Sequence, residues 1–262
     1  MSLIKVCYER IIPAAIDPLG PRITHTKGLM ELRTSKNLGR ELSASEIAHI
    51  DRMALVDSKK WEAGDTLDCQ FLDGSPKMRR KVEDIAHEWE EHANIKLNFI
   101  ETGLAEIRIS FYADKGSWSG VGLDILVDEY FPIHQPTMNY GWLRDDTKEE
   151  EFRRVTLHEF GHALGCIHEH QSPTFDRKWN LDLVMEIFTG PPNYWDEDAI
   201  KHNVLEKYSP EGVSATHFDP ESIMLYAFDG ALFSDNLGPT NMNNGLSEKD
   251  KEMIGKLYPK YI

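Results

Sequence analysis

The sequence is short of cysteine: Cys7, Cys69 and Cys166 are the only 3 in 262 residues. An odd number this small cannot build a disulfide framework and leaves at least one thiol free, so any zinc chemistry must rest on histidines and carboxylates. Basic residues are also scarce, with 29 Lys and Arg against 44 Asp and Glu and a formal net charge of −15. So acidic a chain is poorly suited to gripping phosphate backbones or anionic lipid over a broad face, so neither nucleic acid nor membrane is an expected partner. No run approaches the roughly 18 to 20 uninterrupted apolar residues of a membrane span. Lys5, Glu9 and Arg10 interrupt what would be the apolar region of a signal peptide. The expectation is a monomeric protein, cytoplasmic or exported without a cleaved leader. With 18 Gly, 13 Pro and 40% hydrophobic residues, the chain is neither collagen-like nor low-complexity, and it can bury a core without staples.

Residues 1–60 read as an N-terminal extension. Pro13, Pro18 and Pro21 make its opening irregular, and Ser43-Ala-Ser-Glu46 is a capping box that predicts a helix reaching about Lys60. Residues 61–262 read as one domain with an upper part (61–165) and a lower part (166–262). Thr66 to Phe71 reads as a strand ending at the turn Asp73-Gly74. A long helix follows, with Ser75 as N-cap, Pro76 at N1, and Val82, Ile85, Ala86, Trp89 and Ala93 on one face. Lys96–Ile100 and Ile107–Tyr112 read as strands. Thr137–Trp142 reads as a further short strand at a sheet edge, since Pro132 and Pro136 precede it. A second long helix starts near Thr147, with Glu149, Glu150 and Glu151 at the positive end of its dipole. The order implies an α+β fold: a mixed sheet with two long helices and a smaller, mostly irregular C-terminal part. In that part Leu181–Phe188 and Asp196–Tyr208 read as helices, and Ser247-x-x-Asp250 opens a last one.

The second long helix carries His158-Glu159-Phe160-Gly161-His162. A spacing of i, i+4 puts both imidazoles on one face, one turn apart, where they can share a metal ion. Glu159, beside the first histidine, points away from direct ligation but within reach of a water on the metal, which suits a general base. The five-residue pattern alone would arise by chance about 0.04 times in such a chain. Adding Gly165 and His168 at their fixed spacings lowers that to about 1 in 10,000. Gly165 has a mechanical reason: a glycine at C′ takes φ > 0, stops the helix and turns the chain so that His168 reaches the metal. Three imidazoles with one open position describe a catalytic zinc site holding one Zn2+.

The pattern His158-Glu-x-x-His162-x-x-Gly165-x-x-His168 resembles the extended zinc motif of the metzincin clan of zinc endopeptidases at every fixed position. Ser222-Ile223-Met224-Leu225-Tyr226 is similar to the clan's methionine turn, most of all to that of the astacin family. The resemblance covers roughly Trp61 to Ile262. It implies a metzincin-like fold, with Tyr226 as an additional zinc ligand or transition-state stabiliser and Glu169 as the residue that anchors a mature N-terminus. Leu225 replaces the usual histidine of the turn, residues 170–173 depart from the astacin continuation, and the four astacin cysteines are missing. The branch resembled is therefore disulfide-free. Met224 reads equally as packing beneath the metal, since a thioether fills a core without ligating.

The function expected is zinc-dependent endopeptidase action on a protein or peptide, with Glu159 as base. Two other readings stay open: a zinc protein that binds peptide without turnover, and a delivered toxin or effector peptidase with one protein target. By analogy with the clan, an extended substrate would add to the edge segment Thr137–Trp142. Cys7 reads either as a packed thiol or as an inhibitory zinc ligand in a removable pro-segment, because thiolate binds zinc strongly. His170 reads as a rim or supporting residue rather than a ligand, Trp118 as part of a glycine-rich loop, and Cys69 and Cys166 as core.

Overall fold

The computed structural model describes residues 8–10, 59–191, 193–207 and 217–260. The helix expected after Ser43 and the thiol of Cys7 lie outside these residues. One six-stranded sheet dominates, built from β1 (Tyr8–Arg10), β2 (Thr66–Phe71), β3 (Lys96–Phe99), β4 (Ile107–Ser110), β5 (Ser117–Gly120) and β6 (Met138–Tyr140), in the order β1-β5-β6-β4-β2-β3. All neighbours run parallel except β5 and β6, which are antiparallel. The sheet is thus mixed, as expected.

Helix α1 (Pro76–Ala86) begins where the sequence places it: the Ser75 side chain accepts from the Met78 amide at 3.1 Å, and Met78, Val82, Ile85 and Ala86 are buried. It is shorter than the apolar spacing predicts. His87–Glu91 tightens into a 3-10 turn, in which Trp89 is buried and donates from its indole to the Leu157 carbonyl at 3.1 Å. Helix α2 (Glu149–Ala163) lies against α1, β5 and β6 and carries the zinc motif. Below it the chain is mostly irregular, with α3 (Leu181–Thr189), α4 (Glu197–Ile200), a π-helical turn at Lys201–Leu205 and the closing helix α5 (Glu248–Leu257). The single helix expected over Asp196–Tyr208 is therefore two short pieces.

Two other expectations are corrected. Thr137–Trp142 is not an edge: β6 lies between β4 and β5, and Thr137, Met138, Asn139 and Tyr140 are all buried. Pro132 and Pro136 fall in the preceding loop, where a missing N–H costs the ladder nothing. Trp118 is not in a loop either; it lies in β5, all of whose residues are buried. Without β1, β5 would be the sheet edge. The loop before β6 is held by Arg108, buried in β4, whose guanidinium donates to the carbonyls of Ala105, Phe131, Pro132 and Gln135.

The last four carbonyls of a helix region have no intrahelical donors and need partners when buried. At the end of α2 all four are satisfied. Cys166 N–H bonds Gly161 O at 2.9 Å and Gly165 N–H bonds His162 O at 2.8 Å, the double bond pattern of a Schellman turn. The Trp61 indole donates to Ala163 O at 2.8 Å, and the Tyr258 hydroxyl donates to Leu164 O at 2.7 Å. The same hydroxyl accepts from the Trp61 amide at 3.2 Å, so both ends of the domain close on one helix terminus. Tyr258→Phe leaves a buried amide and a buried carbonyl without this partner, and a loss of about 1–3 kcal/mol is expected in thermal unfolding; an unchanged melting temperature would refute this.

Helix α5 opens on the expected capping box. The Ser247 hydroxyl accepts from the Asp250 amide, and the Asp250 carboxylate accepts from the Ser247 amide, each at 2.9 Å. Buried Asp250 also accepts from the Ser222 hydroxyl at 2.7 Å and from the Ile223 amide at 2.8 Å, tying α5 to residues 222–224. Asp250→Ala orphans three buried donors and is expected to cost roughly 3 kcal/mol, measurable by denaturant unfolding; a change within error of zero would contradict the assignment.

Candidate active site

Helix geometry brings His158 and His162 together, and the turn that follows brings His168 to them. Gly165 has φ +91°, a left-handed conformation that a side chain would strain. The chain therefore reverses at the helix end instead of continuing along its axis. Gly161 answers a close approach: a Cβ there would lie 2.4 Å from the Met224 sulfur. Its absence lets the turn at Ser222–Tyr226 close beneath the helix, with Met224 fully packed.

The three imidazoles are buried and converge. The Nε2 atoms of His158 and His162 are 3.2 Å apart, and those of His162 and His168 are 3.0 Å apart. Each Nδ1 faces an oxygen: Ile223 O at 2.8 Å for His158, Cys166 O at 2.8 Å for His162, and the Gln171 Oε1 at 3.1 Å for His168. A carbonyl oxygen only accepts, so each Nδ1 carries the proton and each Nε2 presents a lone pair to the other two. Burial holds His158 and His168 well below the usual histidine range, which keeps them neutral.

Three inward lone pairs repel one another unless a cation lies between them. Tetrahedral zinc with nitrogen ligands at about 2.0–2.1 Å places those nitrogens about 3.3 Å apart, close to the spacing here. His158, His162 and His168 form the one metal-capable group found among the described residues.

Glu159 is fully buried next to the first of these histidines. Tyr226 is buried with its ring against His168, centroids 4.1 Å apart, and against His158 at 5.6 Å. His170 is not in the metal group. Its ring lies 5.2 Å from that of His168, its Nε2 donates to Asn203 O at 3.0 Å, and burial pushes its pKa down to about 3. Its place outside the group agrees with a spacing that does not match the pattern. Glu169 accepts from the Asp219 amide at 2.7 Å, and burial raises its pKa to about 7. Its own amide donates to Met224 O at 3.1 Å, joining the third histidine's turn to the methionine turn. Cys166 is buried, its thiol pushed up by burial, and Cys69 is buried in β2. Gln171 carries no signal in the zinc pattern, yet its side chain orients His168.

The matrixin family model matches residues 60–175. A structure of myroilysin is 38% identical, with TM-score 0.75, covering 79% of this chain and 98% of that one. Matrix metalloproteinase-2 of Drosophila melanogaster is 26% identical over 149 residues, which span 50% of this chain and 19% of that protein. A hatching-enzyme zinc-protease of the medaka fish Oryzias latipes shares the fold, with TM-score 0.52 at 17% identity, over 77% of this chain and 94% of its own. Zinc is the metal these proteases use, and the three-histidine group fits it. The chain belongs to the metzincin zinc proteases.

Proposed function

We propose that the chain is an endopeptidase in which His158, His162 and His168 hold one zinc through Nε2 and Glu159 is the general base. The convergence of three neutral imidazoles, each with its proton fixed on Nδ1, is the observation that carries this reading. Zinc bound by these three residues would supply Lewis acidity toward the scissile carbonyl and toward a water. Glu159 accepts the proton of the attacking water and returns it to the leaving amine. Glu159 is buried beside His158, the first of the three histidines. Tyr226, its ring against those of His158 and His168, donates its hydroxyl to the developing oxyanion. An extended substrate adds along β5, the strand that would form the sheet edge without β1, and main-chain bonds there give affinity that tolerates varied sequence.

Glu159→Gln is expected to retain zinc while casein hydrolysis falls at least 10²-fold, roughly the contribution of a general base. Wild-type activity should disappear with a chelator and return with zinc. Equal activity in wild type and Glu159→Gln would overturn the mechanism, and zinc binding with no hydrolysis in the wild type would favour a peptide-binding protein.

Residues 1–60 are proposed as a removable pro-segment with Cys7 as its zinc ligand. The pairing of β1 along β5 in the parallel sense supports this, since it puts the residues that follow Cys7 on the strand a substrate would use. Cys7→Ala is expected to shorten the lag before activity appears in the full chain. An unchanged lag would leave Cys7 as an ordinary thiol.

A further inference from the structure

The third histidine is oriented differently from the other two. Main-chain carbonyls of Ile223 and Cys166 fix His158 and His162, whereas His168 depends on the side chain of Gln171. That amide is itself held from elsewhere. Its Nε2 donates to His202 O at 2.5 Å and to Glu206 O at 3.4 Å, while the neighbouring His170 donates to Asn203 O at 3.0 Å. Both side chains are 1% exposed. The acceptors cluster in and just after the π-helical turn Lys201–Leu205, a rare geometry often found at functional sites. The last carbonyls of such a turn have no donor within it and are open to side chains. Donation to two carbonyls also settles which end of the Gln171 amide faces His168: the oxygen, so that the histidine keeps its proton on Nδ1.

We propose that Gln171 is a positioning residue that couples the turn at 201–206 to the third zinc ligand, so that holding zinc and seating that turn support each other. Reciprocity follows from linkage: if the seated turn tightens zinc, zinc seats the turn to the same degree. The inference rests on His168 being a ligand.

Two substitutions in the full chain separate the halves of the bridge. Gln171→Leu loses the acceptor and the donors; Gln171→Glu keeps an acceptor for His168 and loses the donors. Zinc affinity is read by competition with a chromophoric chelator, and the turn by tryptic cleavage at Lys201 and Lys207, with and without zinc. Gln171→Leu is expected to bind zinc about 10–100-fold more weakly, as when the partner of a ligating histidine is removed. Gln171→Glu keeps the acceptor but loses the seated turn, so it is expected to bind zinc more weakly than the wild type and more tightly than Gln171→Leu, and to be cleaved faster in the turn. Removing zinc from the wild type should also speed cleavage there.

A folded Gln171→Leu protein holding zinc like the wild type would overturn the proposal, and so would a Gln171→Glu protein as weak as Gln171→Leu. If Gln171→Leu does not fold, the Gln171→Glu affinity and the zinc dependence of wild-type cleavage decide alone; indifference of cleavage to zinc refutes the coupling. A wild type that binds no zinc would instead defeat the reading of the histidines as ligands.

Discussion

The whole site depends on how helix α2 ends. A buried helix terminus must find partners for its last carbonyls, and here the solution also brings the three histidines together. The turn at Gly165 supplies two of the bonds and sends the chain back toward His168. It also presents the Cys166 carbonyl to His162. Trp61 and Tyr258, far apart in sequence, supply the other two bonds and so fasten the start and the close of the domain to the same point. One unmet hydrogen-bonding demand thus sets the helix end, the convergence of the histidines and the closure of the fold.

The second support is the methionine turn. Its Ile223 carbonyl fixes His158, its Met224 carbonyl takes the Glu169 amide, and its Met224 sulfur packs where Gly161 leaves room. Asp250 holds this turn from below through Ser222 and Ile223. Methionine acts here as packing. The thioether seats the helix while the adjoining backbone does the orienting, which accounts for a tightly specified turn whose named residue need not touch the metal.

Much of this is local and therefore legible in the sequence. The i, i+4 histidines, the glycine three residues on, the proline-opened α1 and the capping box at Ser247 all express short-range rules, and each is found where expected. Long-range pairing is not local. The polar, glycine-flanked Ser117–Gly120 does not look like a strand, so the sequence reads Trp118 as loop and β6 as an edge, whereas β5 and β1 lie beyond β6 on that side. The supporting residues were the least visible. Trp61, Tyr258 and Gln171 act largely on backbone groups, and a backbone carbonyl leaves no mark in the sequence of the residue that bears it.

The central claim is that three Nε2 atoms of this chain hold one zinc ion. Anomalous diffraction measured on either side of the zinc absorption edge tests it most directly. The account predicts one strong zinc peak per chain, within bonding distance of Nε2 of His158, His162 and His168, with their Nδ1 atoms still on Ile223 O, Cys166 O and Gln171. A zinc-replete crystal with no peak between these rings, or with the metal bound through Nδ1 or by other residues, would contradict it.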